Sequence, residues 1–230
     1  MAKMTGRTSG RGKDSRRLLP YKLPTTMKVF QTALAACAAL VFSATAEPEE
    51  GFVSLFDGKT LDGWKVGGNA AAFKVVDGAI VANGDRSHLF YMGKGEAPKY
   101  EDFELRLDVM TKPNSNGGVY ISTVFQDSGW PSHGYEVQVN NTQSDWRKSG
   151  GLYGIVDNKE PFKDNEWMKY VIRVEKGKVN VTVNDKVLVK EFAAEEGKSK
   201  LQKGGGTFAF QAHDPGSTTL YKNIRVKTLK

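Results

Sequence analysis

Cysteine is almost absent from this chain: Cys37 stands alone among 230 residues. A single cysteine forms no intrachain disulfide and no thiolate zinc site. It also falls within an amino-terminal leader, so the mature protein is expected to have no cysteine and no cysteine nucleophile. Histidine is scarce as well. His88, His133 and His213 show no metal-ligand spacing, which argues against a dedicated metal cage. A divalent cation stays open as a cofactor only through Glu136 with His213 and bridging waters. The nucleophile elbow of Ser-His-Asp hydrolases is missing, as are the phosphate-loop and dinucleotide fingerprints.

Charge is the next shortage, despite a formal net charge of +7. Residues 1–46 hold eight basic side chains against one acid, Asp14, and so carry the whole of it. The remainder is neutral, and the basic tract is poor evidence for a nucleic-acid partner. That tract leads into MKVFQTALAACAALVFSATA, whose apolar run ends in Ala44-Thr45-Ala46 and reads as a secretory signal cleaved after Ala46. Residues 1–46 are therefore expected to be a basic leader and signal peptide, and 47–230 a single secreted or periplasmic domain. Met27-Lys28 makes a better signal start than Met1, which points to a misassigned start or an extended basic region. The apolar run, Thr32 to Thr45 at most, is too short for a stable membrane span. Leu34-Ala35-Ala36-Cys37 resembles a lipobox, yet apolar residues continue beyond the cysteine. Ser15-Arg16-Arg17 hints at twin-arginine export but lies far upstream of that run.

Helical periodicity is the last absence, apart from a short turn expected near Ala193 to Lys200. In its place stand short alternating runs: Phe103, Leu105, Leu107 and Val109; Val179, Val181 and Val183; Phe208 and Phe210. Turn signals such as Asp77-Gly78, Asn184-Asp185 and Gly204-Gly205-Gly206 separate them. This predicts an all-β sandwich or jelly roll in one domain. Trp64 reads as a packing residue rather than a ligand platform.

The run GYEVQVNN carries the functional question. Tyr135, Val137 and Val139 form a buried set, while Glu136, Gln138 and Asn140 offer a carboxylate and two amides on the other face. The strand Thr207 to His213 does the same, burying Phe208, Phe210 and Ala212 and turning out Gln211 and His213. If both faces line one sheet, Glu136, Gln138, Gln211 and His213 converge; otherwise they are separate solvated strands. Trp130 and His133 precede the first strand, and Trp146 and Tyr153 follow it. Aromatic faces beside amides and a carboxylate suit a neutral, ring-shaped carbohydrate. Asn116, in the loop Lys112 to Gly118, is either a turn former or a further contact.

LFDGKTLDGW, FKVVDGAIV, YEDFELRLDV, NSNGGVYI, GYEVQV, SGGLYG, EWMKYVIRV with VNVTVND, and FQAHDPG with YKNIRVKTL resemble, in order, the landmarks of the DUF1080 family, the 3-keto-disaccharide hydrolase domain. The likeness runs from about Phe52 to Leu229. It implies a concanavalin-like jelly roll and action on glycosides already oxidised at C3. This chain departs from the family pattern at Ser122, where members often carry arginine, at Asn141, where an aspartate is common, and at Met168, where EWN is usual. The arginine and the acid are lost together, which removes a charge pair.

Laminarinase-type enzymes of the same jelly-roll class carry E-x-D-x-x-E, and here the run reads Glu136, Gln138, Asn141. Two carboxylates have become amides, which disfavours ordinary glycoside hydrolysis. A 3-keto sugar needs only one base and one acid, because its ketone acidifies the C2 proton and elimination expels the C1 oxygen. Glu136 and His213 are the expected catalytic pair, with Gln138, Gln211, Asn116, Asn141, Trp130, His133 and Tyr153 binding substrate. Two rivals stand beside this reading: a carbohydrate-binding module without chemistry, and a secreted structural domain with a solvated face.

Overall fold

The computed structural model describes residues 49–230. The leader, the cleavage site after Ala46, the Cys37 lipobox and the twin-arginine signal lie outside the described residues.

In chain order the strands are β1 (Val53–Ser54), β2 (Trp64–Gly67), β3 (Phe73–Val76), β4 (Ala79–Ala82), β5 (Ser87–Tyr91), β6 (Phe103–Thr111), β7 (Asn116–Thr123) and β8 (Tyr135–Asn140). They continue with β9 (Lys148–Leu152), β10 (Val156–Asn158), β11 (Met168–Glu175), β12 (Lys178–Val183), β13 (Lys186–Phe192), β14 (Thr207–Ala212) and β15 (Thr219–Thr228). One 3-10 turn, Ala70–Ala72, interrupts them. The segment expected to turn near Ala193 to Lys200 is irregular, with a turn at Glu196-Gly197.

Two-residue hairpins follow from residues that accept positive φ at both central positions: Asp77-Gly78, Lys176-Gly177 and Asn184-Asp185. They join β3 to β4 and β11 to β12 in unbroken register, and β12 to β13 with a shift of register beside Val181. The result is an eight-stranded antiparallel sheet, ordered β13-β12-β11-β6-β15-β4-β3 with β1 against β15. A second sheet of seven strands runs β10-β9-β8-β7-β14-β5-β2. Together they make a jelly-roll β-sandwich.

The alternation read from sequence decides which side chains fill the space between the sheets. Leu105, Leu107, Val109, Ile172 and Val181 from the first sheet meet Val119, Ile121, Val137, Val139, Phe208 and Phe210 from the second, all fully buried. Each such side chain contributes about 1.5–3 kcal/mol over leaving it exposed. Phe210 stacks on Tyr221 with centroids 4.3 Å apart, so the sheets are keyed together at that point. Trp64 stacks on Phe210 at 5.1 Å, and its indole N–H donates to the Leu55 carbonyl at 2.9 Å. It packs as expected.

Candidate functional site

The outer face of the seven-stranded sheet carries a cavity of about 390 Å³ lined by Asn116, Tyr120, Trp130, Glu136, Gln138, Tyr153, Gln211 and His213. Strand order explains the convergence. β8 and β14 are not adjacent; β7 lies between them. Gly118 of β7 faces Gln138 of β8 and, having no side chain, opens a gap in the floor. A Cβ at position 118 would lie 2.3 Å from Glu136 Oε1, so only glycine lets the carboxyl fold over β7. Across the gap, Gln211 Nε2 donates to Glu136 Oε1 at 3.1 Å and to the Tyr120 hydroxyl at 3.2 Å. Tyr120 in turn donates to Glu136 Oε2 at 2.9 Å.

Burial pushes the Glu136 carboxyl up to about 7, against the opposing hydrogen bonds from Tyr120 and Gln211; the charge of Asp145 adds to the rise. Glu136 thus titrates near neutrality while held by two donors. The Tyr120 hydroxyl is pushed far up by burial and by Glu136, so it keeps its proton, donating to Glu136 while accepting from Gln211.

His213 reaches the cavity from the end of β14. Its Nδ1 lies 2.7 Å from Asp214 Oδ2. Burial alone would raise Asp214, but hydrogen bonds from His213, Ser217 and the Gly216 N–H outweigh it and hold the carboxyl below its ordinary range. Ser217 Oγ donates to Asp214 Oδ2 at 2.8 Å and accepts the Asn116 N–H at 2.9 Å, which ties this pair to the cavity floor. An ionised carboxylate beside Nδ1 fixes the proton there and leaves Nε2 as the free nitrogen.

Two aromatic walls flank the floor. Trp130 has its ring 5.7 Å from His213 and 5.7 Å from His88, with the Arg86 guanidinium 5.1 Å above it. One side chain holds its loop: Gln126 Nε2 donates to the carbonyls of Ser128 (2.8 Å) and Trp130 (2.7 Å), and Oε1 accepts the Ser132 N–H at 2.9 Å. Tyr153 forms the opposite wall, fixed by its own N–H to the Glu136 carbonyl at 2.9 Å. His88, buried behind Trp130 and Tyr120, is lowered to about 4, first by burial and then by Arg86 and His213. It stays neutral.

Seven of the residues singled out from sequence line this cavity: Glu136, His213, Gln138, Gln211, Asn116, Trp130 and Tyr153. Two do not. Asn141 is buried, donating to Thr111 Oγ1 at 2.9 Å and to the Lys163 carbonyl at 3.3 Å, because the strand ends at Asn140 and the chain turns its amide into the sandwich end. His133 is solvent-exposed beside Ser132 Oγ, on the outside of the Trp130 loop. Asn140 is fully buried, not outward. Gln138 Nε2 donates to Asn116 Oδ1 at 3.3 Å, so this donor and that of Gln211 are already engaged within the floor.

The departures from the family pattern fall outside the lining too. Ser122 has φ +53 at a bulge and accepts the Gln202 N–H at 2.8 Å. Asn141 Nδ2 sits 3.6 Å from Met168 Sδ, so these two departures touch each other in one buried contact. Ser122 and Asn141 have separate partners, and no charge pair between them is lost.

Tyr120, Gly118, Asp214 and Ser217 were not foreseen. The NSNGGVYI and FQAHDPG runs contain all but Ser217, and the parity of β7 that puts Gly118 and Tyr120 on one face was the available signal. Among the described residues, no three His, Cys, Asp or Glu side chains gather where a metal would be held. Glu136 and His213 alone make a poor fit to a protein-bound ion.

A family model described as a 3-keto-alpha-glucoside-1,2-lyase-like domain matches residues 51–227. A Bacteroides thetaiotaomicron protein named 3-keto-disaccharide hydrolase is 25% identical over 231 residues, covering 78% of this chain and 79% of its own. A candidate glycosyl hydrolase from Parabacteroides distasonis superposes with TM-score 0.63 at 23% identity, over 79% of this chain and 95% of that one. The carbohydrate-binding module CBM66 from Bacillus subtilis gives TM-score 0.53 at 14% identity, over 72% and 96%. Both structures share the fold.

Proposed function

Because the chain belongs to the family of 3-keto-α-glucoside-1,2-lyase-like domains, we propose that its cavity cleaves 3-keto-glycosides by removing the C2 proton. The observation that carries this is the lining itself: one carboxyl, Glu136, and one histidine, His213, with three amides, two phenols and an indole as the remaining groups. Retaining and inverting glycosidases need two carboxyl groups in set separation. Enolisation of a ketone does not.

In the proposed sequence His213, its Nδ1–H held by Asp214, takes the C2 proton on Nε2, and the electron pair of the C2–H bond moves into the enolate of the C3 ketone. The enolate collapses to a C1=C2 double bond as the C1–O bond breaks. Glu136, poised near neutrality, protonates the departing oxygen. Water added across C1=C2 then makes the net change a hydrolysis. Trp130 and Tyr153 would stack against the sugar ring between them. Export through the amino-terminal leader belongs to the same proposal and rests on the sequence pattern alone.

The test is leaving-group release by residues 47–230 from a 3-keto-glucoside and from its unoxidised parent. Release from the keto form only is expected, with His213→Ala slowing it by roughly 10²–10⁴-fold while the fold persists. Unchanged turnover by His213→Ala would remove it from the chemistry. A second reading, a binding module, draws on the same two aromatic walls; tight binding of the parent sugar with no release from the keto form would establish it.

A further inference from the structure

Trp146 lies outside the cavity lining and outside the core, and is 49% exposed. An exposed tryptophan on a loose loop would need no account. This one is held rigidly. Asn140, fully buried at the end of β8, donates through Nδ2 to the carbonyls on either side of Trp146, those of Asp145 (2.9 Å) and Arg147 (2.9 Å), while its Oδ1 accepts the Gln143 N–H at 3.0 Å. Lys148 Nζ adds bonds to the Gln143 and Asp145 carbonyls at 2.9 and 2.7 Å. The Arg147 guanidinium then fills the space between Trp146 (4.7 Å) and Tyr153 (4.8 Å), and Tyr153 is a wall of the cavity. Asp145 and Asp157 neutralise the guanidinium. The stack therefore runs from the cavity wall through Arg147 to a half-exposed indole on a hydrogen-bonded loop, with Lys159, whose side chain is exposed, the other cation over the ring at 5.6 Å.

We propose that Trp146 is a second sugar subsite, taking the C–H face of the leaving-group ring of a disaccharide or longer glycoside whose 3-keto ring occupies the cavity. This rests on the reading of the cavity given above. A preformed aromatic platform spends no loop ordering on binding, which is where such contacts gain affinity.

The test compares kcat/KM for a 3-keto-disaccharide with that for the methyl 3-keto-glucoside, which has no second ring. In Trp146→Ala the ratio of the two is expected to fall about tenfold, and in Trp146→Phe by less. An unchanged ratio in both variants overturns the subsite. If the wild-type protein turns over neither substrate, the proposed chemistry fails and the subsite is judged by calorimetric titration with unoxidised oligosaccharides. Weaker binding by Trp146→Ala would sustain the subsite, and equal affinity would end it.

Discussion

Glu136 shows how much of the site depends on a neighbour without a side chain. The residue type and strand face were readable in GYEVQV, but its environment is made by Gly118 on the next strand, Tyr120 and Gln211, none of them near in sequence. Burial raises its pKa to about 7 in the folded protein, against 4.5 for the free side chain. A carboxyl raised by folding favours the folded state when protonated, and that advantage is lost as pH climbs from about 4.5 through about 7. Glu136→Gln keeps the neutral shape at every pH. Its melting temperature should match that of the wild type near pH 4.5 and exceed it at pH 8, as scanning calorimetry at both values would show; a gap that does not widen with pH would mean the carboxyl is not strained. Asn140 and Asn141 make the opposite case. Both were readable as polar positions, yet the first pins the Trp146 loop and the second closes the sandwich end, because position on a strand gives a face but not what covers it.

At the scale of elements, the strands with clean alternation, β6, β8, β12 and β14, were legible from their residues, and so were the turns at Asp77-Gly78 and Asn184-Asp185. β9 was not. Its residues, Lys148-Ser149-Gly150-Gly151-Leu152, lack β-branched and aromatic side chains, and it is a strand because those glycines admit close neighbours: a Cβ on Gly150 would strike Leu188 Cδ1 at 2.2 Å, and one on Gly151 would meet the Asn158 nitrogen at 2.6 Å. The loop carrying Trp130 is likewise ordered by something composition hides, the single amide of Gln126. Gln126→Ala removes its bonds to Ser128, Trp130 and Ser132 together. With one wall loosened, KM for the 3-keto-glucoside should rise by about threefold to tenfold while kcat changes little, since the wall does not touch the protons in flight. Steady-state kinetics decide it; a fall in kcat at constant KM would place the loop in the chemistry.

Across the whole molecule the two sheets divide the work. The eight-stranded sheet turns outward a charge network in which Glu104 is bracketed by Arg106 and Arg173, and Glu49 bridges Arg106 and Arg225. Glu175 also pairs with Arg173, so three acids meet three arginines in that network, in keeping with the neutral net charge of residues 47–230. The seven-stranded sheet supplies the cavity, and its strand order brings β8 and β14 to either side of β7, a placement no single-sequence pattern contains. Sequence reading reached the sandwich and most of the lining; the gap at Gly118 and the tie from Asp214 through Ser217 to Asn116 came from topology. The central claim is that a C2 proton leaves before the glycosidic bond is lost. The measurement that tests it most directly is the rate of leaving-group release from a 3-keto-glucoside carrying deuterium at C2, compared with the protiated substrate under kcat/KM conditions. Slower release of the deuterated substrate, by a primary isotope effect, is the expected result. Equal rates, with deuterium retained at C2 of the product sugar, would contradict elimination and return the site to direct displacement at C1.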